Sequence, residues 1–221
     1  GYVKRMKAAV TALSSAKVDL DVKLCQLVRL FKDGKPYKMS KRQGNFVTLR
    51  DLVREVGKDV VRFWMLTRRN DVPLDFDFGK ALEQSKDNAV FYVQYAHARC
   101  CSIIRKAERA GLDISTIKTD ETDFGLLDSE NENQIILKLC EWPRAVQQAS
   151  HAHEPHRIVF YLYDLAAKIH SFQHEGKLNN ELRVLSTHQD TRQARLVLIK
   201  VCKEIICSGL KILGVRPLTK M

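Results

Sequence analysis

Apolar side chains recur about one helical turn apart along much of the second half of the chain. Ile158, Leu162, Leu165, Ile169 and Phe172 form one such stripe; Leu196, Ile199, Ile206, Leu210 and Leu213 form another. The first stripe predicts a helix that starts at Pro155 and ends near Phe172, with Gly176 beyond its end and a loop over Lys177 to Glu181. The second predicts a helix from about Thr191 to Leu213, capped by Gly214 and stopped by Pro217. A third helix is expected from Ser85 to Gly111, with Asp87 or Asn88 as its N-cap. The acidic, polar run from Leu112 to Glu132 reads as a loop. Asn133 to Trp142 reads as a helix that Pro143 restarts toward Ser150.

The first third of the chain has a different texture. Tyr2 to Ser14 reads as a short helix. Val18, Leu20, Val22 and Leu24 alternate with polar residues, which is strand periodicity, and Leu27 to Phe31 is an apolar run of strand character before the turn pair Asp33-Gly34. Thr48 with Asp51 is a helix-start signature for Leu49 to Val56; Gly57 interrupts, and a second helix spans Asp59 to Thr67. Val72 to Phe78 alternates apolar and acidic residues, so Asp75 and Asp77 read as a strand face rather than a metal or acid–base pair.

Composition narrows the class. The chain has 221 residues, 45% hydrophobic, and a formal charge of +11. That excess points to an anionic partner, nucleic acid before membrane. No apolar run is long enough to span a bilayer, and the first ten residues lack the apolar core of a secretory signal, so no export or membrane association is expected. The sequence lacks an initiating Met and reads as a fragment or processed product. None of the six cysteines forms a C-x-x-C pair; they read as reduced residues of a cytoplasmic protein. His151, His153, Glu154 and His156 are ligand types in a short inter-helix loop, without a further ligand at a useful spacing, and no metal is expected.

Two stretches carry candidate chemistry. Lys38-Met39-Ser40-Lys41, with Arg42 and Gly44, forms a cationic loop between a strand and a helix N-terminus. Such a loop suits a polyphosphate, because ammonium groups and helix-terminal amides stabilise charge on phosphate oxygens; a solvated turn is the plain alternative. On the helix predicted over 85–111, Tyr92, Tyr95, Arg99 and Lys106 fall on one face, with Val90, Val93, Cys101 and Ile104 on another. Two tyrosines and an arginine make a surface on which unpaired bases stack while cations meet phosphates. Equally, both tyrosines fit a core with satisfied hydroxyls. Arg68 and Arg69 read as a solvated helix end.

Several separated blocks then resemble one family in its own order: VRLFKDGKPYKMSKRQGNFVTLRDLV, DVVRFWMLTRRNDVPLDFDF, SKDNAVFYVQYAHAR and the terminal LKILGVRPLTKM. Together they resemble bacterial arginyl-tRNA synthetases, class I enzymes whose KMSK loop closes over ATP. The resemblance implies a mainly α fold: a C-terminal anticodon-binding helix bundle preceded by a remnant of a Rossmann-type catalytic domain, made of a helix, a β-hairpin and the KMSK loop. It implies boundaries at 1–47 for the catalytic remnant, 48–80 for a stem-contacting helical region and 81–221 for the bundle. It implies Mg-bound ATP as a substrate rather than a tightly held cofactor, with Tyr37, Lys38, Met39, Ser40 and Lys41 at the nucleotide and Lys38 and Lys41 stabilising phosphate charge. Arginine and tRNA(Arg) are the other implied partners, and a monomer is expected. Tyr95, Arg99, Phe172 and Met221 correspond to anticodon contacts, although Thr219-Lys220 departs from the Glu-Arg that usually precedes the terminal Met.

The first class I signature, His-Ile-Gly-His, is absent; His153-Glu-Pro-His156 lies downstream in a different context. The isolated chain is therefore expected not to aminoacylate. Three rivals remain: a stand-alone helical RNA-binding module, a helical protein-interaction domain, and another class I synthetase such as the cysteinyl or methionyl type. The YAHAR run and the LGV…M ending argue against the last.

Overall fold

The computed structural model describes residues 1–32, 34–37, 47–83, 88–186 and 188–221. Helix α1 covers Tyr2–Leu13 and buries none of its residues. Strands β1 (Val28–Lys32) and β2 (Lys35–Pro36) form an antiparallel hairpin, and β3 (Leu74–Asp77) joins β1 in parallel with Val28 opposite Leu74. The sheet order is β2-β1-β3. Helices α2 (Leu49–Val56) and α3 (Lys58–Met65) lie between β2 and β3 in sequence. Thr48 and Asp51 cap α2 reciprocally: the Asp51 N–H donates to the Thr48 hydroxyl, and the Thr48 N–H donates to the Asp51 carboxylate. These elements share a small core of Leu52, Val56, Val61, Phe76, Phe78 and Ala81.

The alternation over Val18 to Leu24 does not become a strand. Among the described residues no strand pairs with it; its Leu24 carbonyl accepts from the Asn70 side-chain amide instead of from a ladder. In β3, Asp75 is exposed and takes a bidentate pair from Arg29 at 2.6 and 3.0 Å. Asp77 is buried and caps α4 (Phe78–Leu82), accepting from the Gly34, Gly79 and Lys80 N–H groups. Burial works against its charge, but those N–H groups outweigh it and hold the carboxyl below its usual value.

The second body is all helical. It comprises α5 (Ala89–Arg109), α6 (Glu130–Cys140), α7 (Trp142–Ala152), α8 (His156–Leu178) and α9 (Gln189–Ile212). Asn88 joins the two bodies. Its side-chain oxygen accepts from the Val90 N–H, and its amide donates to the Ala81 and Glu83 carbonyls at 2.9 Å. Helices α5, α8 and α9 pack through Val93, Cys100, Leu162, Leu165, Ile169, Ile199 and Ile206, all fully buried.

Two expectations shift here. The run 112–132 is not plain loop: it holds three short 3₁₀ turns, and α6 begins at Glu130 because Ser129 and Glu132 form a capping box. Helix α8 does not stop near Phe172 but continues through Gly176 to Leu178. A glycine at 176 is favoured by close approach, not by a helix end: a Cβ there would meet the Leu182 carbonyl oxygen at a tight 3.0 Å. At the far end, Gly214 (φ +69°) terminates α9 where Arg62 Nε donates to the Leu213 carbonyl, tying the two bodies again.

Candidate nucleic-acid interface

The extension of α8 past Phe172 builds one wall of a cavity of about 640 Å³. Helix α5 supplies the opposite wall with Tyr95, Arg99 and Lys106; residues 182–185 and the tail residues Lys220 and Met221 close it. Six basic side chains line it: Arg99, Arg105, Lys106, Lys177, Arg183 and Lys220. No acidic side chain does so among the described residues. The volume lies within the range of about 300–1,000 Å³ usual for ligand sites. Its walls are those of an anion-attracting cleft.

Tyr95 is 46% exposed, while its neighbours Gln94, Ala96 and His97 are buried. Its ring stacks on His170 (5.5 Å between centroids, 26° between planes), and the Arg99 guanidinium lies over it at 5.5 Å. His170 is itself fixed: its ring packs 4.5 Å from Tyr92, and its Nε2–H donates to the Tyr92 carbonyl at 3.2 Å. Burial depresses the His170 imidazole, the Tyr92 carbonyl opposes that, and Arg99 adds to it, so the ring is neutral near pH 7. Tyr92 packs on Tyr163 at 4.9 Å, and burial raises its hydroxyl above the ordinary value. The two tyrosines thus divide the two readings between them: Tyr92 is packed, and Tyr95 presents itself to solvent.

The tail is held rather than frayed. Gln94 Nε2 donates to the Arg216 carbonyl at 3.0 Å, His97 Nδ1–H to Leu218 at 2.8 Å, and Arg105 to Thr219 at 3.0 Å. Three side chains of α5 therefore fix the path that brings Met221, 57% exposed, to the cavity mouth. Residues 179–185 are fixed by Arg195. Its Nε donates to Glu132 at 2.6 Å, and its Nη1 donates to the Glu181 and Arg183 carbonyls. This ion pair is almost wholly buried.

Tyr95, Arg99, Phe172 and Met221, far apart in sequence, thus meet at one cavity. Phe172 needs a correction in kind. At 1% exposure it belongs to the core even though it borders the cavity. Tyr37 extends the hairpin, its N–H donating to the Leu30 carbonyl, with its ring 6.2 Å from Phe78. Lys38, Met39, Ser40 and Lys41 lie outside the described residues. Among those described, no group of three or more His, Cys, Asp or Glu is placed to hold a metal ion. Of the four ligand types at 151–156, Glu154 pairs with Arg157 at 2.6 Å and His153 with Asp21 at 3.1 Å. All six cysteines are free. Burial pushes the Cys100 thiol up to about 12, so it is no nucleophile at neutral pH.

Residues 93–221 match the DALR anticodon binding domain. The chain belongs to that family. Along its whole length the DALR chain is also similar to longer proteins. It is 56% identical to the arginine–tRNA ligase of Ruegeria pomeroyi and 55% identical to that of Roseobacter denitrificans, and spans 38% of the length of each. It matches the structure of a Campylobacter jejuni protein assigned as an arginyl-tRNA synthetase, with a TM-score of 0.81 at 31% identity, over 100% of this chain and 45% of that one. In the DALR domain, periodicity alone missed several residues that line the cavity or hold the tail against it. Lys177, Arg183 and Lys220 come from three segments, and only the tertiary fold gathers them. The tail anchors Gln94 and His97 had no pattern of their own.

Proposed function

We propose that this chain is the C-terminal part of an arginine–tRNA ligase and grips the anticodon arm of tRNA(Arg). The observation that carries the reading is the cavity at α5, α8 and the tail: an exposed tyrosine ring, oriented by His170 and Arg99, inside a ring of six cations. An unpaired base stacks on Tyr95, the Arg99 plane adds cation–π attraction, and the surrounding lysines and arginines meet the phosphates. The anticodon-binding family match and the named relatives support it.

In the same reading, residues 1–47 are the end of a Rossmann-type catalytic domain, 48–80 a stem-contacting region and 81–221 the anticodon bundle. ATP with its Mg ion and arginine are substrates of the whole enzyme. Lys38 and Lys41 stabilise charge on the phosphates as the arginine carboxylate attacks the α-phosphate and pyrophosphate leaves. Tyr37, Met39 and Ser40 belong to the ATP site, with backbone groups near Tyr37 and Met39 assigned to the adenosine. The whole enzyme acts as a cytoplasmic monomer. Six free cysteines suit that reducing compartment, and no described helix is long and apolar enough to cross a membrane.

The test is RNA binding across a salt series. A stem-loop RNA should bind with affinity that falls steeply between about 50 and 200 mM salt, as counterion release requires. Salt-independent binding, or none, contradicts the reading. In the whole enzyme, Lys41→Ala should cut charging rate sharply, whereas a stand-alone RNA-binding module predicts no change.

A further inference from the structure

Gln173 follows Phe172 on α8 and lines the same cavity. It is 7% exposed, and neither its Nε2 nor its Oε1 has a hydrogen-bond partner. A buried amide left unanswered is costly, because both its donor and its acceptor have lost water without replacement. Apolar side chains of similar length would fill the site at less cost. Such violations of local economy collect where a protein binds something. Among the described residues, the other side-chain atom in this condition, Arg192 Nε, belongs to a guanidinium that already donates to the Ser186 carbonyl, and Arg192 does not line the cavity.

The chemistry of the amide narrows the ligand. It offers N–H donors beside a carbonyl acceptor on one planar fork. A phosphate has only acceptors and would leave the carbonyl unanswered, and the six lining cations are the better partners for phosphates. A nucleobase edge carries donor and acceptor side by side and answers both halves of a glutamine fork. The ring of Tyr95 in the same cavity takes the face of a base and leaves its edge free to be read.

We propose that Gln173 is a specificity-determining residue: its side-chain amide pairs with the hydrogen-bonding edge of an unpaired base that lies on Tyr95. The proposal rests on the cavity being an RNA site. The amide atoms are buried in the RNA-free chain, so pairing requires the cavity lining to open over them.

The experiment uses the full chain and a set of stem-loop RNAs that differ only in one loop base, with a blunt duplex of the same stem as reference. Wild type should prefer one base at one loop position by about ten-fold or more. Gln173→Met, close in size and apolar, should erase that preference yet keep tighter binding to loop than to duplex. It should also raise the melting temperature of the RNA-free chain, since an unanswered buried amide is gone. Gln173→Asn, which keeps the amide but withdraws it by one methylene, should erase the preference as well and serves if the Met variant does not fold. Retention of the wild-type base ranking in either variant overturns the proposal, as does a wild type with no base preference. Tyr95→Ala separates the two levels: if it leaves loop binding intact, the cavity is not the RNA site and the reading beneath the proposal fails; if it abolishes loop binding while Gln173→Met keeps the ranking, only the role of Gln173 fails.

Discussion

The α5–α8–α9 bundle and the first 27 residues are both rich in apolar side chains, yet only the bundle buries them. In the bundle Leu162, Leu165, Ile169, Ile199 and Ile206 are fully enclosed. In the N-terminal segment Tyr2, Met6, Leu13, Leu24 and Leu27 all stand in solvent, Leu27 at 81% exposure. The contrast shows what an exposed apolar group means in each place. Along α1 exposure is general and singles out nothing. On α5 the flanking residues are buried and Tyr95 is the exception, so its exposure is specific and its stacking partner, His170, holds it in one orientation.

The comparison can be broken by mutation. The largest effect is expected at Arg195→Met. It leaves Glu132 charged, buried and without its guanidinium partner, and should cost about 3–5 kcal/mol of stability in denaturant unfolding. An unchanged midpoint would show that the ion pair does not anchor residues 179–185. Next, Leu162→Ala in the bundle should cost about 2–5 kcal/mol, while Met6→Ala on α1 should fall within about 0.5 kcal/mol of zero. Comparable losses would remove the distinction between the two regions.

A smaller effect is expected with pH. Burial depresses the imidazoles of His97, His156 and His170, and each folded value lies below the ordinary 6.5. Above that value both folded and unfolded chains hold these rings neutral, and the stability is fully present. As pH falls, the unfolded chain takes up protons first, so stability is lost from there down through the depressed folded values. Melting temperature should therefore drop by a few degrees, roughly, between pH 7.5 and 5.5. His97→Gln should reduce the slope, and a rise in melting temperature over that window would refute the burial of these rings.

Much of the bundle was legible because helical periodicity and caps are local signals. The stripe at 158–172 and the N-cap at Asn88 needed no tertiary knowledge. Gly176 misled because a glycine reads the same whether it ends a helix or lets residues 182 and 183 approach one. Ser129 and Glu132 carried a legible start signal that the surrounding acidic run masked. The strand pattern at 18–24 failed because alternation specifies a strand only where a partner exists. At the site, the face shared by Tyr95, Arg99 and Lys106 followed from the helix period. Lys177, Arg183 and Lys220 come from segments that only the fold brings together, and the tail contacts of α5 and the unanswered amide of Gln173 leave no local pattern.

The most direct test of the account compares the affinity of the wild-type chain and Tyr95→Ala for a stem-loop RNA and for a blunt duplex of the same stem. The account predicts that wild type binds the loop more tightly than the duplex and that Tyr95→Ala weakens loop binding by roughly ten-fold or more with little change on the duplex. Equal affinity of the wild type for both RNAs, or a loop preference that survives loss of the Tyr95 ring, would contradict it.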